Sequence, residues 1–259
     1  MIVDACLGEA AREEMGADLR VFVESRGVAR EDADAIAAAP ARLAVYRSLV
    51  QNGIRTIVGR VLPRTRARLN AACGGRFDAD LARFLDLVGP RTHYLRDVPH
   101  ELTAWAIPQW RADPTVPAYL PDLAVYEGTP FAVASAPDDA PFTPAGVALD
   151  RPLHLSSSIR LLHLSWRVDE LPEDVDANGA PAAGPAHLLA YRQADHGVHW
   201  LELTPLAASI ADGLVTGRNL GDAVEAACRD HGTIPSAVTS DVARLLADLA
   251  DREILLGAR

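Results

Sequence analysis

The sequence predicts an α+β chain. An all-helical domain covers residues 1–128, a linker 129–150, and a winged-helix-like domain with a small antiparallel sheet and three helices covers 151–259. Three observations predict it. Apolar residues in the first half recur at helical spacing. The stretch "TPFAVASAPDDAPFTPAGVALD" holds four prolines among small residues, as an extended crossover would. After residue 150 short β-prone runs come first and helical periodicity follows.

Residues 4–26 form one amphipathic helix candidate ending at Gly27. Pro40 suits the first turn of a second helix, where its missing N–H costs little. Leu43, Tyr46, Val50, Ile54, Ile57 and Val61 mark one face of that helix. Pro63 opens the next helix, closed by Gly74 and Gly75. Asp78 reads as the N-cap of "ADLARFLDLVG", with Leu81, Phe84, Leu85 and Val88 as its buried stripe. Pro99 begins "PHELTAWAIPQW", with Asp97 as a cap, and "VPAYLPDLAVYEG" stops at Gly128.

Beyond the linker, "RPLHLSSSIRLLHLSWRVD" is β-prone. "HLLAYRQADHGVHWLEL" reads as a hairpin, with strands 187–193 and 198–203 around a turn at Asp195 to Gly197. Helices follow at about 204–215, 219–230 and 236–251, and "REILLG" reads as a closing strand.

The formal net charge is −10, yet residues 42–96 carry 11 arginines against three acids, a local +8. That segment suits docking to an acidic partner or a phosphate. Its arginines can equally pair with the acidic flanks or face water. The chain has no lysine. Cys6, Cys73 and Cys228 are odd in number and far apart, which suits a reducing cytosol. The N-terminus lacks a basic leader with a hydrophobic stretch, and no apolar run is long enough to span a bilayer. A cytoplasmic protein with no membrane contact is expected.

No stand-alone active site is legible. There is no Gly-rich phosphate loop, no Gly-x-Ser-x-Gly elbow and no cysteine–histidine nucleophile pattern. His196 and His199 are spaced as H-x-x-H, but on a strand that spacing points to opposite faces. His93 and His100 lack a carboxylate set for a metal, His154, His163 and His187 lie in or beside strands, and His231 sits at a helix end. No catalytic residue and no metal ligand is expected.

Three segments carry a resemblance. "ARLAVYRSLVQNGIRTIVGRVLPRTRARL", "FDADLARFLDLVGPRTHYLRDVPHEL" and "PAYLPDLAVYEG", covering most of residues 42–127, resemble the HvfC/BufC/MbnC-type proteins. The second half is similar to the precursor-peptide recognition element typified by PqqD. There Gly213 lies near the expected turn, Gly217 follows it, and Asp241-Val242 opens the third helix with Leu245, Leu246 and Leu249.

The resemblance implies a non-catalytic partner subunit. It would bind a ribosomally made, cysteine-bearing precursor and a TIM-barrel multinuclear-iron oxygenase, with the iron in that other chain and no cofactor in this one. The precursor leader would add as a β-strand along 198–203, where Val198, Trp200 and Glu202 face one side and His199, Leu201 and Leu203 the other. The expected leader contacts are Val198, His199, Trp200, Leu201, Glu202, Arg244, Leu245 and Leu249, with Trp200 as anchor. Arg91, Tyr94, Arg96 and Asp97 are expected to dock the oxygenase or fix the interdomain geometry; Asp97 as a plain helix cap is the bland alternative. A DNA-binding regulator is the other function class. The acidic "SDVARLLADLADRE" at the would-be recognition helix opposes it, and no nucleic-acid partner is expected.

Overall fold

The computed structural model describes residues 9–92, 94–141 and 146–258. The chain is mixed α+β and divides into two compact units. One contains residues 1–128 with 172–178, the other 129–171 with 179–259.

The first unit is helical. The expected helix over 4–26 is two: α1 (Glu9–Ala17) and α2 (Leu19–Glu24). Asp18 divides them, because its carboxylate accepts from the Val21 N–H at 3.1 Å and caps α2. A short helix without an expected counterpart, α3 (Arg30–Ala37), precedes α4 (Pro40–Val61). In α4 the buried apolar residues are Ile54, Val58 and Val61, whereas Tyr46 of the expected face is about half exposed. Pro63 disfavours helical geometry at Leu62, so the chain breaks there and restarts as α5 (Pro63–Ala72).

Gly74 and Gly75 both take positive φ and turn the chain into α6 (Arg76–Leu87). Asp78 is not its cap; it lies within the first turn. Asn70 of α5 does the capping, its Oδ1 accepting from the Phe77 and Asp78 N–H groups at 2.8 and 3.3 Å. Leu81, Phe84 and Leu85 are buried as expected, but Val88 just past the helix is exposed. After a 3-10 turn at Leu95–Asp97 come α7 (Val98–Ala112) and α8 (Leu120–Ala134).

Two buried carboxylates organise this unit. Asp80 accepts from the Trp110 indole Nε1 and the Arg76 Nε, both at 2.8 Å. Arg76 also reaches Asp113, whose carboxyl is held down at about 2 by the Thr115 hydroxyl and then by Arg76. Glu127 receives four bonds at the start of α5, from the Arg64 and Thr65 backbone N–H groups, the Arg64 Nε and the Thr65 hydroxyl, at 2.7–3.0 Å. The segment 172–178 is held by Arg64 and Arg68, which donate to the carbonyls of Pro172 and Ala177.

α8 does not stop at Gly128. It continues to Ala134, with Gly128 apposed to the His100 ring and Leu62 at contact distance. Its end is fixed in the second unit, where Arg192 donates to the carbonyls of Ala134 and Ala136 and to Asp138. Asp139 in turn accepts from the Ser156 hydroxyl and the Ser157 N–H.

In the second unit, β2 (Ile159–Trp166), β3 (Ala183–Arg192) and β4 (Val198–Glu202) form an antiparallel sheet in the order β2-β3-β4. β1 (Leu153–Leu155) pairs separately with β5 (Leu255–Ala258). Three helices pack on the sheet: α9 (Pro205–Val215), α10 (Leu220–Asp230) and α11 (Pro235–Asp251). Their starts follow the sequence. Thr204 and Asn219 cap α9 and α10 through side-chain oxygens, and Pro205 and Pro235 occupy first-turn positions. Asp241 and Val242 lie inside α11 and do not open it. Gly213 likewise lies inside α9; the residue at the turn is Gly217, with φ +85°. The core joins Leu189, Tyr191 and Leu203 of the sheet region to Ile210, Leu214, Val224, Val242 and Leu249 of the helices.

Candidate functional site

β4 is an edge strand. It pairs with β3 in the register Leu189↔Leu201 and Tyr191↔His199, and no strand covers its other side among the described residues. The Leu203 N–H donates to the His187 carbonyl, and the Gln193 N–H to the Gly197 carbonyl. Odd-numbered residues of β4 therefore exchange bonds with β3, and the peptide groups of Val198 and Glu202 turn outward.

Beside this edge runs a groove of about 700 Å³ between β4, α9 and α11. Leu201, Leu203, Leu206 and Ile210 supply apolar surface from one side, and Val242, Leu245 and Ala247 from α11. Glu202, Asp241, Arg244, Asp248 and Asp251 supply charge at its rim. Arg167 donates to Glu202 at 2.6 Å and holds its carboxyl below the usual carboxylate range. Arg244 is paired with Asp241, and Arg252 links Asp248 to the Tyr191 hydroxyl.

Of the residues expected to meet a leader, Leu201, Glu202, Arg244 and Leu245 come together at this groove. Leu249 does not reach it; at 1% exposure it belongs to the core. Val198, His199 and Trp200 are outside the groove lining. Trp200 is half-buried and lies on the opposite sheet face from Leu201, as strand alternation requires. His199 stacks at 5.7 Å from Tyr191, near the hairpin turn. Leu206, Ala207 and Ile210 escaped the sequence reading. Their signal is a second apolar flank on α9, beside the core-facing Ala208, Ala211 and Leu214.

The second expected site is a loop of the first unit. Glu101 anchors it by accepting from the Arg91 and Thr92 N–H groups at 2.7 and 2.9 Å. Asp97 occupies the cap position of α7 without making a side-chain cap bond; its carboxylate accepts from the Thr92 hydroxyl at 3.0 Å. Arg96 lies 4.9 Å over the exposed Tyr94 ring. Exposed Leu95 rests against Gly53 of α4, and Val45 and Leu49, also exposed, continue the same i, i+4 stripe on that helix. His93 is outside the described residues.

The histidines fall into local pairs. His163 and His187 are cross-strand neighbours with Nδ1 atoms 2.9 Å apart, and His163 Nε2 lies 2.9 Å from Asp212. Burial, with His163 beside it, pushes the His187 imidazole down. His231 bonds Ser209, and His196 sits in the hairpin turn with φ +63°. Among the described residues no group of three or more His, Cys, Asp or Glu side chains is placed to hold a metal ion.

Residues 156–250, from just before β2 to the last turn of α11, match the family described as HvfC C-terminal domain. Over these residues the second unit is similar to the HvfC C-terminal domain. The match supports an HvfC-type protein, though it falls on the second half and not on residues 42–127, whose motifs carry that resemblance, and it suggests an accessory partner role. The open edge of β4 and every groove residue except Asp251 lie within the HvfC match. No curated protein matches the chain. Among the described residues no helix is long and apolar enough to cross a membrane.

Proposed function

We propose that this chain is the non-catalytic subunit of a peptide-modifying pair. The HvfC-like domain captures the leader of a ribosomally made, cysteine-bearing precursor as a strand added along β4. The first unit docks a TIM-barrel multinuclear-iron oxygenase, which holds the iron and carries out the oxidation.

One observation carries the reading: an uncovered strand edge directly beside an apolar groove walled by a helix. Added-strand recognition needs both parts, since main-chain bonds give affinity and pockets for alternate side chains give specificity. A micromolar leader requires about 8 kcal/mol net, within reach of a few buried side chains and one strand pairing. The acidic stripe Asp241, Asp248 and Asp251 on α11 is unsuited to phosphate backbones, so a nucleic-acid reading gains no support.

The test uses the full chain and a candidate cysteine-bearing precursor peptide, sought among short reading frames flanking its gene, labelled and followed by fluorescence anisotropy. Ala247→Trp fills the groove from an exposed position, and Val198→Pro removes an outward N–H of β4. Each should weaken binding by about tenfold or more, the equivalent of 1.4 kcal/mol, with unchanged melting. Binding that withstands both changes removes the added-strand reading.

Docking is tested separately. Arg91→Ala with Arg96→Glu should weaken co-purification with a co-expressed oxygenase of the proposed type while peptide affinity stays the same. Undiminished complex formation would withdraw those residues from the interface.

A further inference from the structure

The groove rim has a sign. Glu202, Asp241, Asp248 and Asp251 border it, and Arg244 is the one cation among the residues that line it. The neighbouring arginines do not cancel this. Arg167 is shared among Asp169, Glu170 and Glu202, and Arg252 divides its donors between Asp248 and Tyr191. Asp251 has no ion pair among the described residues. It also sits in the last turn of α11, which itself holds no basic side chain; the C-cap residue Arg252 is engaged by Asp248 and Tyr191. Beneath this rim the floor is apolar, formed by Leu203, Ile210 and Leu245.

We propose that the groove selects a guest strand with apolar residues at alternate positions and arginine or lysine beside the Asp248–Asp251 end of α11. This rests on the added-strand reading above and specifies the chemistry of the captured segment. Apolar side chains fill the floor, while the cationic heads stay at the wet rim, their aliphatic stems lying along apolar surface. Rim charges act mainly on specificity and association rate, and they are screened by salt.

The probe is a pair of labelled synthetic peptides with the same alternating leucine–valine pattern, one with lysine at the polar positions and one with glutamate. Both are titrated against the full chain by anisotropy. The lysine peptide should bind about tenfold tighter in dilute buffer, as two or three partly exposed ion pairs would give. The preference should shrink to about twofold when salt is raised to roughly 0.5 M. Asp251→Arg, an exposed position outside the core, should cut the preference at least threefold without changing the melting temperature.

Equal binding of the two peptides, a preference indifferent to Asp251→Arg, or no binding of either overturns the charge selection. The two readings fail separately. If the natural precursor binds and Ala247→Trp abolishes it while the synthetic pair shows no preference, only the charge proposal falls. If the natural precursor does not bind, the reading beneath it falls as well.

Discussion

Replacing Glu127 with alanine is expected to cost about 3–5 kcal/mol, the usual penalty for breaking a buried ion pair from one side. The Glu127 side chain is only 4% exposed, and that of its partner Arg64 only 10%. The carboxylate does two jobs. It neutralises Arg64, and it receives the backbone N–H groups of Arg64 and Thr65 at the first turn of α5, donors with no partner inside their own helix. Alanine leaves these groups short of an acceptor in a site that excludes water. Urea unfolding should show a clear fall in midpoint. Glu127→Gln, which keeps an acceptor oxygen, should recover part of it. Thr65→Val removes the hydroxyl donor alone and should cost about 1 kcal/mol. A Glu127→Ala loss below about 1 kcal/mol would mean that the four bonds stabilise far less than their burial implies.

The second large effect is expected at Gly213. A Cβ there would lie 2.8 Å from the Cβ of Ala223 and 3.2 Å from its Cα, so a side chain on α9 collides with the backbone of α10. Gly213→Val should destabilise the second unit by about 1–3 kcal/mol, the range for overpacking. That would lower its melting temperature by about 5 °C. Ala223→Gly in the same chain should return part of the loss, because the two positions share one contact. A stable Gly213→Val with no such coupling would show that the helices can move apart freely.

The second unit was the more legible in sequence, and its local signals explain why. Thr204-Pro205, Asn219 followed three residues on by Asp222, and Pro235 each start a helix by chemistry within a few residues. The hairpin turn carries its own carboxylate, with Asp195 accepting from the Gly197 N–H. What failed depended on distant partners. Asp78 has the right residue type for a cap, but Asn70 of the preceding helix supplies the bond. Gly128 looks like a stop, yet the helix runs on to Ala134, whose carbonyl accepts from Arg192 of β3.

At the candidate site, period-two alternation assigned the two faces of β4. It could not say which face the helices border: Trp200, the expected anchor on aromatic grounds, lies on the face opposite the groove-lining Leu201. The acidity of "SDVARLLADLADRE" is legible in the sequence, but α11's position beside β4, which makes Asp241, Asp248 and Asp251 a rim, is a tertiary fact.

The pairing of β1 with β5 sets an order of events during synthesis. Leu153 meets Ala258, so the small sheet cannot close until residue 258 has emerged from the ribosome. The helical unit also waits, since Arg64 and Arg68 find the Pro172 and Ala177 carbonyls only after more than a hundred further residues have been made. Neither half can finish as a simple N-terminal-first domain. The nascent polypeptide must stay unaggregated through most of its translation.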